Sequence, residues 1–318
     1  MRQNQAVSEI VKTFDVNRIY AQKLFHATDR KIRFKEIARI LNEKPKPFVK
    51  WVGGKRQLLK QFRLLNLYPP ENFNPTTNTY FEPFVGGGAV FFDLLPDKAQ
   101  LSDLNQELVT TYNVIKKNVD ELVKSLKKHK YEKEYYLIIR AQDPKNLSDI
   151  EVAARFIYLN RTGFNGMYRV NSKGQFNVPF GRYNNPIICD EENLRRVSKA
   201  LRGVSIKHQD YNEVLKKAKR GDFVYFDPPY FPVSKTSSFT SYTAKAFLEN
   251  EQTELRDTFT ELHERGCFVM LSNSDTPFIN EIYSGIKGVK ITKVKAGRAI
   301  NSKASKRGKI TEVLVTNY

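Results

Sequence analysis

A chain of 318 residues, 40% of them hydrophobic, is long enough for one large or two ordinary domains around a real core. Its 53 Lys and Arg against 34 acidic residues leave a net charge of +19, which points to a polyanionic partner, with nucleic acid ahead of an anionic membrane surface. No apolar run approaches the ~20 residues that span a bilayer, and the opening MRQNQAVSEIVK lacks the apolar core of a signal peptide, so no membrane role and a cytoplasmic location are expected.

Residues 1–46 place apolar side chains at helical spacing in VSEIVKTF and FKEIARIL, and the KPKP run at 44–47 then forbids helix. This predicts a helical N-terminal extension on a stiff basic linker. FKEIARILNEK has a helix-turn-helix flavour, against which a solvated or packing role is the plainer reading. TYFEPFVGGGAVFFDLLP reads as strand, glycine turn and a helix closed by Pro96. AQLSD at 99–103 is a second strand, and 106–128 a single long amphipathic helix. The alternation is that of a doubly wound, mostly parallel, Rossmann-like α/β sheet.

Between 131 and 200 the texture changes to Tyr, Phe, Arg, Asn and Gly without strict periodicity, as for an inserted region of functional loops. The strand and helix rhythm returns with VSIKHQDY, DFVYFDPPY, a helix over about 247–265 and GCFVMLSNSD. Two strands flanking the basic loop GRAINSKASKRGK close the chain. The expected organisation is therefore an extension (1–46), a main domain from 47–130 and 201–318, and an insertion (131–200). Cys189 and Cys267 lack zinc-site spacing and read as reduced and buried. His26, His129, His208 and His263 are scattered, as for surface or helix-terminal residues. Neither a metal site nor a Ser-His-Asp hydrolase has support.

Two segments carry chemistry. Glycines in Phe84-Val85-Gly86-Gly87-Gly88 let backbone approach a ligand beside a helix N-terminus, and Asp103 at the end of the next strand can accept from ribose hydroxyls. Together they point to an adenosine-containing cofactor. The spacing does not fit GxGxxG, and Glu82-Pro83 before the turn is unlike a dinucleotide fold. A close helix–strand crossing is the lesser alternative for the glycines taken alone.

The run FVYFDPPYFP at 223–232 is more specific: a buried strand ends in a carboxylate, two prolines and a tyrosine. The exocyclic amine of a nucleobase is a poor nucleophile because its lone pair is delocalised into the ring. If it donates one N–H to Asp227 and the other to the Pro228 carbonyl, the nitrogen is held toward tetrahedral geometry and its lone pair is freed to attack a methyl sulfonium. Pro228 and Pro229 make the loop rigid, and Tyr230 offers a flat face for a base.

Lys50-Trp51-Val52-Gly53-Gly54-Lys55, FEPFVGGGAVFFD, LSDLN, NRTGFNGMYRVNSKGQFNVPFGRY, DPPY and FTSYT together resemble the Dam-type DNA adenine-N6 methyltransferases of GATC specificity, in the motif order of their alpha group. The resemblance runs from about 47 to 318 and leaves out residues 1–46. It implies S-adenosylmethionine as cofactor and adenine N6 in double-stranded DNA as acceptor, reached by base flipping. By position, it implies a cofactor site of Trp51, Lys55, Glu82, Phe84, Gly86, Gly88, Asp103, Asp210 and Asp227 in the main domain, with catalysis by Asp227, Pro228, Pro229 and Tyr230. The insertion becomes the target-recognition region. There Arg169 stands where the family reads the first guanine, Phe164 where an aromatic ring wedges into the duplex, and Asn165, Met167, Pro179, Arg182 and Asn184 at neighbouring DNA contacts. Asn184 departs from the basic residue often found at its position, and GRAINSKASKRGK suits phosphates. A monomer or weak dimer is expected, either solitary or as the modification enzyme beside a separately acting restriction endonuclease. The alternatives are a catalytically silent DNA-binding module on this fold, or a methyltransferase acting on RNA or protein glutamine.

Overall fold

The structure is a computed structural model that describes residues 44–51, 53–233, 247–297 and 309–318, together with 7–11, 16, 21–22 and 24–25 of the extension. Seven strands form one sheet: β1 (Tyr80–Glu82), β2 (Ala99–Asp103), β3 (Ser205–His208), β4 (Phe223–Phe226), β5 (Phe268–Ser274), β6 (Lys290–Gly297) and β7 (Lys309–Thr316). Their order is β3-β2-β1-β4-β5-β7-β6, parallel except for β7, which runs antiparallel to both β5 and β6. The expected doubly wound architecture is present.

Side-chain alternation sends the strands into two apolar layers. Phe223, Tyr225, Met270 and Leu314 join one cluster with Phe91, Leu108 and Ile115, while Val224, Phe226, Leu271 and Val315 join the other with Leu255, Phe259 and Ile279. All four residues of β4 are fully buried, each Phe side chain contributing about 1.5–3 kcal/mol. Chain order reverses between β1 and β4, which pair in parallel, so the loops after both strands open into one crevice at the switch point of the sheet.

After the extension, the α-helices among the described residues are α1 (Arg56–Leu64), α2 (Ala89–Leu94), α3 (Gln106–Lys117), α4 (Val119–Leu126), α5 (Lys133–Ala141), α6 (Asp149–Thr162), α7 (Glu191–Ala200), α8 (Glu249–Glu264) and α9 (Pro277–Ser284). The single helix expected over 106–128 is two: Asn118, at φ −134°, ends α3 and starts α4. Residues 131–200, expected as an insertion, are also less loop-like than their composition implied. Helix α6 opens with a Ser148–Glu151 capping box and is buried on nearly all sides. A helix without a polar face loses the periodicity that sequence reading relies on. Ala153, Ala154, Phe156 and Ile157 pack into the main core, whereas Tyr158 and Leu159 pack with Tyr136, Phe176 and Val178 of the insertion.

The KPKP linker is fastened to the body, because the Lys46 amide donates to Asn193 Oδ1 (2.9 Å), Asn193 Nδ2 donates to the Lys46 carbonyl (2.9 Å), and Lys44 pairs with Asp93 (3.3 Å). Described residues of the extension, Val7, Ile10, Val16, Ala21, Leu24 and Phe25, form their own apolar cluster with Leu95 against it. The FKEIARILNEK segment before Lys44, the FTSYT segment and all of the basic loop between its end residues, Gly297 and Lys309, lie outside the described residues. Both cysteines are free, but Cys189 is only half-buried. His129, just past the end of α4, is half-buried: it stacks on Tyr158 (4.5 Å), and burial lowers its pKa to about 4.

Candidate active site

The glycine turn after β1 takes backbone shapes that favour glycine, with φ +47° at Gly86 and +70° at Gly88. A Cβ on Gly86 would lie 2.6 Å from the Trp51 indole, and one on Gly88 2.6 Å from the Tyr112 hydroxyl, which donates to the Gly86 carbonyl (3.0 Å). Asp103 accepts from the Gly86 amide at one oxygen (3.0 Å) and from the Asn105 amide at the other (2.9 Å). Burial pushes its carboxyl above the usual range, and these two amides pull against that. Each oxygen keeps a lone pair for a further donor.

Glu82 is turned inward. It accepts from the Tyr80 hydroxyl (2.9 Å) and from the Phe91 amide (3.1 Å) in the first turn of α2, whose cap residue, Gly88, has no side chain to offer. Burial pushes its carboxyl well up. Its contacts are those of a helix cap beneath the turn.

Asp227 follows β4 directly. The Lys55 ammonium, only 2% exposed as a residue, sits 2.7 Å from Asp227 Oδ1, donates to the Gly53 carbonyl (2.6 Å) and lies 4.8 Å from the centre of the Tyr230 ring. Removal from bulk water pushes the Asp227 carboxyl up to about 6, with Lys55 opposing. A buried ion pair is weak evidence for stability; this one keeps a carboxylate oriented at the mouth of the crevice. Tyr230 donates to Glu312 Oε2 (2.8 Å) on β7. Glu312 was missed in the sequence, where ITEVLV reads only as an ordinary alternating strand. Phe84 stacks on Tyr211 (5.4 Å) and meets Phe247 edge-on (5.9 Å), with Asp210 beside them capping a short turn through the Asn212 amide (3.2 Å). Of the nine expected cofactor residues, Glu82 and Asp103 end β1 and β2, Trp51 and Lys55 precede α1, and Phe84, Gly86, Gly88, Asp210 and Asp227 lie on the loops after β1, β3 and β4.

Residues 163–184, expected to read DNA, form a compact unit. The Phe164 amide donates to the Pro179 carbonyl (2.9 Å), and bridges join Gly163 to Phe180 and Val170 to Phe176. Phe164 is 46% exposed on a turn in which Asn165 and Gly166 have positive φ. Asn165, Arg169, Pro179, Arg182 and Asn184 are exposed and Met167 half-buried. Arg169 Nε donates to Asn177 Oδ1 (2.7 Å), which braces the guanidinium. Two side chains seat the segment against residues 50–51: Asn160 exchanges hydrogen bonds with both backbone groups of Lys50 (2.8 Å each) and donates to the Gly166 carbonyl (2.9 Å), and Tyr168 stacks on Trp51 (6.1 Å). Tyr168 in turn donates to Glu107, which is paired with buried Arg155 (2.8 Å each). A buried Arg within an apolar helix was the readable signal for that network.

The model of the D12 class N6 adenine-specific DNA methyltransferases matches residues 51–300. The chain is 49% identical over 281 residues to the type II methyltransferase M1.LlaDCHI of Lactococcus lactis subsp. cremoris, covering 86% of this chain and 95% of the relative. It is 45% identical over 291 residues to the type II methyltransferase M.MjaIII of Methanocaldococcus jannaschii (86% and 99%), and 34% identical over 276 residues to the DNA adenine methylase of Escherichia coli K12 (86% and 95%).

Proposed function

Because the chain belongs to the D12 class of N6 adenine-specific DNA methyltransferases, we propose that it methylates adenine within GATC in duplex DNA, by direct attack of the flipped base's amine, as the modification enzyme of a restriction system or as a solitary enzyme. S-adenosylmethionine is the methyl donor and supplies a methyl group on a cationic sulfur. The glycine turn that no Cβ would fit, the Phe84–Tyr211 aromatic pair and the carboxylates of Asp103, Asp210 and Asp227 suit a nucleoside bearing a positive charge. Trp51, Lys55, Phe84, Gly86, Gly88, Asp103, Asp210 and Asp227 would hold it, with Glu82 supporting the turn from beneath.

The observation that carries the reading is the acceptor pair at the switch point. Asp227 presents an oriented carboxylate, and among the described residues no donor reaches the Pro228 carbonyl. Asp227 Oδ2, the oxygen not paired with Lys55, and the Pro228 carbonyl would take an N–H each from the target amine while Tyr230 stacks on the base. No strong base is required, because the nitrogen becomes acidic as it is alkylated. GATC specificity is supported by Arg169, whose braced guanidinium suits the O6/N7 edge of guanine, and by the exposed Phe164 beside it as a wedge. The test is digestion of DNA from an expressing host with GATC endonucleases of opposite methylation sensitivity. Protection from the enzyme blocked by adenine methylation, with cleavage by the one that requires it, is expected; N6-methyladenine in another sequence would overturn the GATC assignment.

A further inference from the structure

The loop after β4 has a problem its sequence creates: Pro228 and Pro229 have no N–H, so the loop cannot fix itself through its own backbone donors. The remaining handles are held from outside. Gln252 on α8 donates from Nε2 to the Pro229 carbonyl (3.0 Å), and its Oε1 accepts from Asn273 Nδ2 on β5 (2.9 Å). Asn273 Oδ1 accepts from the Phe231 amide (3.0 Å) and the Ser274 amide (2.9 Å), and the Ser274 hydroxyl donates to the Phe231 carbonyl (2.6 Å). The chain of amides leaves the loop at residue 229 and re-enters it at 231, closing a ring around Tyr230.

Gln252 and Asn273 are both 0% exposed, among Leu255, Leu271 and Phe226. Buried primary amides cost free energy unless every group is paired, and an apolar pair would fill the space between α8 and β5 without that demand. We propose that Gln252 and Asn273 are positioning residues for methyl transfer, an amide relay that aims the Pro228 carbonyl at the target amine. The inference rests on the reading of Asp227 to Tyr230 as the amine clamp.

The test compares single-turnover methylation by the full chain at saturating S-adenosylmethionine and GATC duplex, for Gln252→Met, Asn273→Leu and the double variant. Folded protein is counted by cofactor-binding stoichiometry. Each single variant should lose roughly 10- to 100-fold in rate while the dissociation constants for cofactor and duplex stay within about threefold, as for a misaimed but occupied site. The double variant should be no slower than the slower single one, because the relay acts as a unit. A full rate in either folded single variant, or a loss confined to the binding constants, overturns the relay. Asp227→Ala, run alongside, separates the two ideas: if it keeps near-normal turnover the clamp itself falls, and if it alone is impaired only the relay falls.

Discussion

The loop after β4 and the segment 163–184, to which the proposed function gives catalysis and recognition, are built in opposite ways. In the loop, Asp227 is paired with Lys55, Tyr230 with Glu312, and the backbone at Pro229 and Phe231 with buried Gln252 and Asn273. In the segment, the backbone is held from behind: Tyr131 and Tyr136 donate to the Gly181 and Val178 carbonyls and Tyr183 to that of Gly163, while Phe164, Arg169, Pro179, Arg182 and Asn184 face outward. A group that stabilises a transition state must be aimed before the reaction begins, which favours buried, fully satisfied contacts. A group that reads an arriving polyanion must be accessible, so order is supplied to its backbone and its tip is left to the partner. Changes in the loop should therefore alter rate on every substrate, and changes in the segment should alter which substrate is used.

The largest effect is expected at Asp227. Asp227→Ala removes an acceptor for the target amine and leaves the Lys55 charge buried without its partner, so labelled-methyl transfer should fall by about 10²–10³ or more. Turnover close to wild type would break the comparison at its first half. The same carboxylate sets a pH dependence. Its ionised form accepts the amine and its folded value is raised to about 6, so kcat/KM should hold above pH 6 and decline as pH falls through about 6. A profile flat down to pH 5 would show that the ionised form is not needed.

Beneath the site, Glu82→Ala strips the acceptor from the Tyr80 hydroxyl and the Phe91 amide in a dry setting. Denaturant unfolding should show a loss of about 1–3 kcal/mol for each group left unsatisfied. An unchanged midpoint would mean that α2 is capped by other means. The smallest effect belongs to the extension, whose described residues cluster largely with each other. Removal of residues 1–43, which spares the Lys44 and Lys46 contacts, should leave cofactor binding and methylation intact; an inactive truncation would tie the extension to the catalytic body.

The sheet was legible where strands are short runs ended by Pro or Asp, as β1 is by Pro83 and β4 by Asp227, and β2 and β4 have the bounds that AQLSD and FVYF imply. Family membership adds what residues alone left open, a DNA adenine acceptor in place of RNA or protein glutamine and an enzyme in place of a silent module. Helix α6 was hidden because burial on nearly every side erases amphipathic spacing. The resemblance puts Glu82 among the cofactor residues by position, whereas only the fold shows its carboxylate accepting from the Phe91 amide of α2. Gln252 and Asn273 left a faint trace: LSNSD puts a polar amide in the middle of a strand otherwise apolar. Their pairing joins residues 21 positions apart, which no local pattern reveals.

The division between rate and recognition is tested most directly by methylation of GATC and of each first-base variant duplex, at fixed salt, by the wild type, Asp227→Ala and Arg169→Ala. Arg169→Ala should lose about 1–3 kcal/mol of discrimination at that base pair alone, while Asp227→Ala lowers every rate by a common factor. A uniform drop for Arg169→Ala, with the preference for GATC intact and a shallower salt dependence of binding, would make Arg169 a phosphate contact and contradict the account.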